Sequence, residues 1–301
     1  MNLTYATVSD FLQMKDLGKS GLIVVSDTGK NKIDSYLERA TRYIQRQTRR
    51  DFFPWIEDRL FPVPHSFYDL SMRRFPAANL PLDQDLLEAL LVNNGQTNIP
   101  PDKYYLLETN VKPHYLVALK FPYYWGGLFG GAYPYNRYDQ PIITVRGIWG
   151  YADYHYPNEF WIDTFTLCPA LDSTETSFVV SNVQIIDSFG QEAFAIGRLL
   201  RIEDEFMIIT GRDDTSNEIT VQRGARGSEA VAHDADLPIT RWRVIEDIVE
   251  TCLQIAKIWR ESDIAAGGRI GVSDVSTGAE ITIPADPARI IASYQRSMLF
   301  G

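Results

Sequence analysis

Apolar residues recur at three- and four-residue steps in two long stretches of the chain and gather in short runs between them. From Lys32 to Arg50, Ile33, Tyr36, Leu37, Ala40, Tyr43 and Ile44 fall on one stripe, which predicts a helix with a single buried face. From Arg243 to Arg260, Val244, Ile245, Ile248, Val249, Cys252, Leu253, Ile255, Ala256 and Trp259 form a broader apolar face, which predicts a core helix. Two shorter helices are predicted near the ends. One runs from Thr7 to Met14, with Thr7 as its cap and Asp10 three residues on, as in a capping box. The other is capped by Asp286, has Pro287 at its first position, and lines up Ile290, Ile291, Tyr294 and Met298.

After Phe52 the period shortens. Pro54, Pro62, Pro64 and Pro76 disfavour long helices. Strands are predicted at Leu86 to Val92, Tyr104 to Leu107, Tyr115 to Leu119 and Ile142 to Val145, the first of them ended by the turn Asn93-Asn94-Gly95. From about Asn158 to Thr240 the chain reads again as short strands, at Phe178 to Val180, Leu199 to Ile202, Phe206 to Thr210 and Ile219 to Gln222. Asp213 to Asn217 reads as a hairpin turn, and the spacing suits a small barrel or sandwich. Ser26 to Asn31 reads as a turn, and Ile270 to Ile283 as polar, extended chain.

Charge divides the chain in the same places. The 29 basic and 39 acidic residues give a net charge of −10. Residues 1–157 hold 17 basic and 16 acidic groups, residues 158–240 hold 5 and 15, and residues 241–301 hold 7 and 8. The acidity therefore belongs to the middle block. It argues against broad wrapping of nucleic acid, and it places that block in solvent or on a surface that repels DNA. No apolar run reaches the ~18 residues of a membrane helix. The opening MNLTYATVSDF lacks a basic segment followed by an apolar one, so a soluble protein made in a cytosol is expected.

Candidate chemistry is sparse. Cys168 and Cys252 are too few for a disulfide framework or a four-thiolate zinc site and read as reduced, buried thiols. His65, His114, His155 and His233 each lie more than five residues from any other histidine or cysteine, so no local metal motif exists. Neither a phosphate loop nor a nucleophile elbow is present. Glu203, Asp204 and Glu205 could do acid–base work if one were buried, but at a hairpin corner they read as solvated. The expectation is a protein without enzymatic activity and without a cofactor or metal.

Two features point to contacts. The long helix carries Arg39, Arg42, Arg46 and Arg49, either as a solvated face that suits the helix dipole or as a surface for an acidic neighbour. The segment from Phe121 to Gln140 is rich in glycine and holds Tyr124, Trp125, Phe129, Tyr133 and Tyr135. It reads as a long loop that folds back on its own sheet, contacts a second subunit or partner, or stacks against sugars.

Three stretches together resemble the head–tail connector, or adaptor, family of tailed bacteriophages. The first is IDSYLERATRYIQRQTRRDFFP, residues 33–54, similar to that family's opening helix. The second is DQDLLEALLVNNGQT at 83–97, KYYLLETN at 103–110 and ITVRGIWGY at 143–151. The third is VIEDIVETCLQIAKIWRE, then GRIGVSDVSTG, then IPADPARIIASYQR, similar to a core helix, a connecting segment and a closing helix. Residues 158–240 interrupt this order. Their RLLRIEDEFMIITG and RGARGSEAVAH resemble a small β module of phage structural proteins.

The resemblance implies an α+β fold: a helical adaptor-like body with a short antiparallel β portion, residues 1–157 and 241–301, plus an inserted small all-β domain, residues 158–240. It implies a structural virion protein at the neck that assembles as a ring, typically twelve-fold, under the portal. The portal and a downstream neck or tail protein are the implied partners, and genome DNA passes through the lumen without specific binding. Tyr294, Met298, Leu299 and Phe300 are the expected portal contact, the alternative being a tail packed back on its own body, and the aromatic loop is the expected subunit or partner contact. The alternative is a virion module that binds carbohydrate or a surface through the aromatic loop and the β block.

Overall fold

Strands carry most of this fold. The computed structural model describes residues 3–14, 27–64, 79–107, 112–125, 141–152, 160–265 and 285–296. These form two antiparallel sheets of six strands each and four helices. The expectation of a helical body with a short β portion is therefore overturned. Its cause lies between Trp55 and Trp149, where runs that look short and separate join into one extensive sheet. The chain divides into two compact units, Asp51–Phe160 and Met1–Arg50 with Trp161–Gly301.

The unit Asp51–Phe160 contains β1 (Trp55–Pro62), β2 (Asn79–Asn93), β3 (Asn98–Ile99), β4 (Tyr104–Leu107), β5 (His114–Leu119) and β6 (Pro141–Trp149). The order is β1-β6-β2-β5-β4, with β3 paired to β2 beyond the Asn94-Gly95 turn. The fifteen residues of β2 slip register between Pro81 and Leu86, and twice more by Leu91. Those bulges break strict alternation, which conceals a long strand behind the polar Asp83-Gln84-Asp85. One face buries Phe61, Leu80, Leu86, Val117, Val145 and Trp149, and the Trp149 indole N–H donates to the Glu57 carbonyl at 3.0 Å. Strand β6 lies so close to β2 that a Cβ on Gly147 would sit 2.5 Å from Leu86 Cδ1 and 2.7 Å from the Glu88 carbonyl oxygen.

The other unit combines all four helices with the second sheet. Helix α1 (Val8–Leu12) is capped by Thr7, and the Thr7–Asp10 capping box is complete. Helices α2 (Asp27–Thr48), α3 (Glu246–Ala265) and α4 (Ala285–Ser293) pack on one another. Helix α2 begins within the segment read as a turn. Asp286 lies inside the first turn of α4 rather than capping it, because that helix starts one residue earlier. Leu37, Ala40, Thr41 and Ile44 of α2 are buried, as are Cys252, Ile255, Ala256 and Trp259 of α3. Thr41 Oγ1 lies 3.7 Å from Cys252 Sγ and accepts the Tyr5 N–H at 3.0 Å.

The second sheet holds β7 (Trp161–Leu167), β8 (Ser177–Val179), β9 (Leu199–Ile202), β10 (Glu205–Asp213), β11 (Glu218–Gln222) and β12 (Pro238–Trp242), in the order β7-β12-β9-β10-β11-β8. Phe178, Phe194, Leu200, Ile202, Met207, Ile209, Ile219 and Ile239 form its core. Helix α1 is fastened to one end of this sheet. Asp10 pairs with Arg198, just before β9, at 2.9 Å, and Ser9 Oγ lies 3.4 Å from Glu192, which pairs with Arg212 at the end of β10.

Candidate functional site

Register brings the chemistry-bearing residues of the second sheet together. Strands β9 and β10 are joined by the tight turn Glu203-Asp204, where Glu203 has a φ of 50°. The turn aims Glu203 and Asp204 outward, with side chains 54% and 85% exposed. Glu205, the first residue of β10, points inward and is fully buried. The reading of the triplet as solvated therefore fails at Glu205, which is enclosed by Arg223, Gly224, Val231 and His233.

Glu205 accepts a forked pair from Arg223, at 2.6 Å from Nε and 2.8 Å from Nη2. It also accepts the backbone N–H groups of Gly224 and Val231, at 3.0 and 3.1 Å. His233 bridges two carboxylates, with Nε2 3.0 Å from Glu205 and Nδ1 2.9 Å from Glu203. Arg223 also donates to the carbonyls of Asp172 and Glu175, each at 2.9 Å. Burial alone would raise the Glu205 carboxyl. The Arg223 guanidinium, the two N–H groups and His233 outweigh it and hold the carboxyl below its ordinary value.

Every oxygen of Glu205 is thus engaged within the protein. The cluster acts as a clasp that holds residues 223–233 against the β9–β10 corner. The nearby Cys168 is pushed up to about 11 by burial, so it remains a thiol at neutral pH. Cys252 is pushed up to about 12 by burial. Among the described residues, no group of three or more His, Cys, Asp or Glu side chains could hold a metal ion. A second buried pair, Arg241 with Asp187, fixes the loop before β9, and Asp187 also accepts the N–H groups of Phe189 and Gln191 at 2.8 and 3.1 Å. Burial, then the neighbouring Arg198 charge, press the Arg241 guanidinium below its ordinary value.

The surface around the clasp is acidic. Asp172, Glu175, Glu203, Asp204, Glu229 and Asp234 are all exposed and flank Arg223, Glu205 and His233. A basic surface lies on α2. Arg39, Arg42 and Arg46 are exposed, opposite the buried Ile33, Leu37, Ala40 and Ile44, and the exposed Arg49 follows the helix end with a φ of 56°. Arg39 lies 4.3 Å over the Trp259 ring, and Arg42 pairs with Glu38 one turn back.

The expected contact residues are only partly placed. Trp125 is 3% exposed and belongs to the core of the Asp51–Phe160 unit. The Tyr124 carbonyl, beside it, accepts the Asn94 side-chain amide at 2.9 Å. Tyr124 is half-buried and meets Phe121 edge to face at 6.4 Å, while Phe121 is 84% exposed. Phe129, Tyr133 and Tyr135 lie outside the described residues, as do Met298, Leu299 and Phe300. Tyr294 is half-buried, with its hydroxyl 3.4 Å from Asp247 at the start of α3. Arg296 N–H donates to the Thr48 carbonyl at 2.9 Å, and the Gln295 amide to the Gln47 carbonyl at 3.1 Å. Residues 295 and 296 are thereby tied to the end of α2.

Sequence reasoning singled out the arginine row, the acidic triplet and the net charge of the middle block. It missed the clasp, because Glu205 and His233 are 28 residues apart and meet only through strand pairing. Comparison with known proteins finds no matching family model, no matching curated protein and no matching solved structure.

Proposed function

We propose that this chain is a structural protein of a tailed-phage virion, a head-to-tail connector that forms a ring under the portal and joins the capsid vertex to the tail. The observation that carries this reading is the meeting of its opening and closing connector-like stretches. Residues 33–54 and 244–296 are far apart in sequence, yet α2, α3 and α4 pack as one group. The Thr41–Cys252 contact and the Arg296–Thr48 hydrogen bond sit inside that group. The closing segment therefore departs from a fixed point on the helices. In this reading Tyr294 and the apolar Met298, Leu299 and Phe300 dock on the portal, and a ring closes by a repeated head-to-tail contact.

The test is incorporation into heads. A chain lacking residues 297–301 should fold and fail to join portal-bearing heads, whereas the full chain joins them. Equal incorporation of both chains refutes the docking role, and failure of the full chain to join heads refutes the connector reading.

A further inference from the structure

Two exposed surfaces of opposite charge lie on the unit formed by Met1–Arg50 and Trp161–Gly301. The first is the outer face of α2. At 100° per residue, Lys32, Ser35, Arg39, Arg42 and Arg46 fall within an arc of about 80°, along roughly 20 Å of helix, and Arg49 follows just past the helix end. Every one of them is exposed, and Arg42 is 69% exposed. The second is the acidic rim around the clasp. Of the five arginines of residues 158–240, four are held in ion pairs within the chain and Arg226 is half-buried. Arg198 is buried against Asp10, Arg223 against Glu205, and Arg201 and Arg212 are half-buried against Asp204 and Glu192.

The rim and the attachment of α1 lie at opposite ends of β9. Arg198, which holds α1, immediately precedes β9, and Glu203 of the rim immediately follows it. Strand β12 runs antiparallel to β9 and leads into α3 from its Trp242 end, so α3 leaves from the Arg198 side. Helix α2 packs on α3 and α1 there. The rim therefore lies at the end of β9 and β10 opposite the Arg198–Asp10 attachment of α1.

We infer that the α2 arginine face of one copy binds the acidic rim of the next, so that a second copy of this chain is the partner of both surfaces. This rests on the connector reading and specifies its subunit contact. Two different, complementary patches on one unit make a heterologous contact, which continues from copy to copy until it closes into a ring. Opposed charges favour that register and suppress like-on-like pairing. The contact is also screened. Raising ionic strength from about 0.01 M to about 0.1 M shortens the Debye length from about 30 Å to about 10 Å.

Charge reversal in the full-length chain tests the contact. Association is read by sedimentation velocity and electron microscopy, and folding by circular dichroism. The wild-type chain should associate at low ionic strength and weaken about tenfold or more at high ionic strength. Arg42→Glu with Arg46→Glu, or Glu229→Lys with Asp234→Lys, should each weaken association about a hundredfold. A chain with all four changes should associate again, and an equal mixture of the two doubly changed chains should form alternating assemblies. A wild-type chain that stays monomeric at low ionic strength overturns the inference, as does the absence of rescue in the fourfold variant. Closed rings in every variant overturn this contact and leave the connector reading intact. Failure of the full chain to join portal-bearing heads removes the connector reading itself. Duplex DNA provides the remaining arm: binding that is lost with the arginines and not regained in the fourfold variant assigns the arginine face to DNA and overturns the inference.

Discussion

The Glu205→Gln substitution isolates the clasp, because glutamine keeps the shape of the side chain and removes its charge. Glu205 is fully buried and accepts from Arg223, Gly224, Val231 and His233. Without the carboxylate, the Arg223 guanidinium, itself only 5% exposed, faces no charge at the position Glu205 now fills. One amide oxygen must then serve donors that two carboxylate oxygens now share. Breaking a buried ion pair from one side costs about 3–5 kcal/mol, which corresponds to a melting-temperature drop of roughly 6–20 °C for a unit of this size. Urea unfolding followed by tryptophan fluorescence reads this directly, since Trp161 and Trp242 lie in the same sheet 5.0 Å apart. Asp204→Asn on the exposed side of the same turn is the control and should change stability by less than about 0.5 kcal/mol. The pH dependence has a defined sign. A carboxyl held below its ordinary value of 4.5 contributes stability that is complete above that value and is lost as pH falls through its lower folded value. The wild-type acid limb should therefore be steeper than that of Glu205→Gln. A cost under about 1 kcal/mol, or superimposable acid limbs, would refute the reasoning.

Other substitutions probe the packing. Gly147→Ala places a methyl 2.5 Å from Leu86 Cδ1 and 2.7 Å from the Glu88 carbonyl, and should cost about 1–3 kcal/mol or more in chemical denaturation. Ile44→Ala leaves a cavity beside the fully buried face of α2 and should cost about 2–5 kcal/mol. Thr7→Ala removes the side-chain cap of α1 and should cost about 1 kcal/mol, with faster amide exchange at Asp10. A thiol reagent at neutral pH should leave Cys168 and Cys252 unmodified in the folded protein and modify both after unfolding, because burial raises both thiols to about 11 and about 12.

Helices were the legible part of this fold, for a physical reason. On α2 the apolar positions Ile33, Leu37, Ala40 and Ile44 are all buried, with Thr41 and Thr48 beside them, so the apolar period marks the buried face. The arginine face follows from the same geometry, being the opposite side of that wheel. Strands such as β4 and β9 were legible at their ends because each is a compact run of apolar residues. Strand β7 was not. Its inward positions are Ile162, Thr164 and Thr166, while Phe165 and Leu167 face outward, so hydropathy inverts the true alternation. Strand β12 hides likewise, since its inward residues include Arg241, whose partner Asp187 is 54 residues away. Strand β1 places its apolar residues in adjacent pairs, Trp55-Ile56 and Leu60-Phe61, around Glu57-Asp58-Arg59, so they do not alternate. The clasp shares this obscurity, because a buried charge is recognisable only once its partner is in place.

A connector of the kind proposed builds a ring at the head–tail junction. Cryo-electron microscopy of particles carrying a small tag on this chain tests it most directly. The account predicts a closed ring of tag density at the single neck vertex, between portal and tail. Tag density on the capsid faces or the tail tip, or none in the particle, would contradict it.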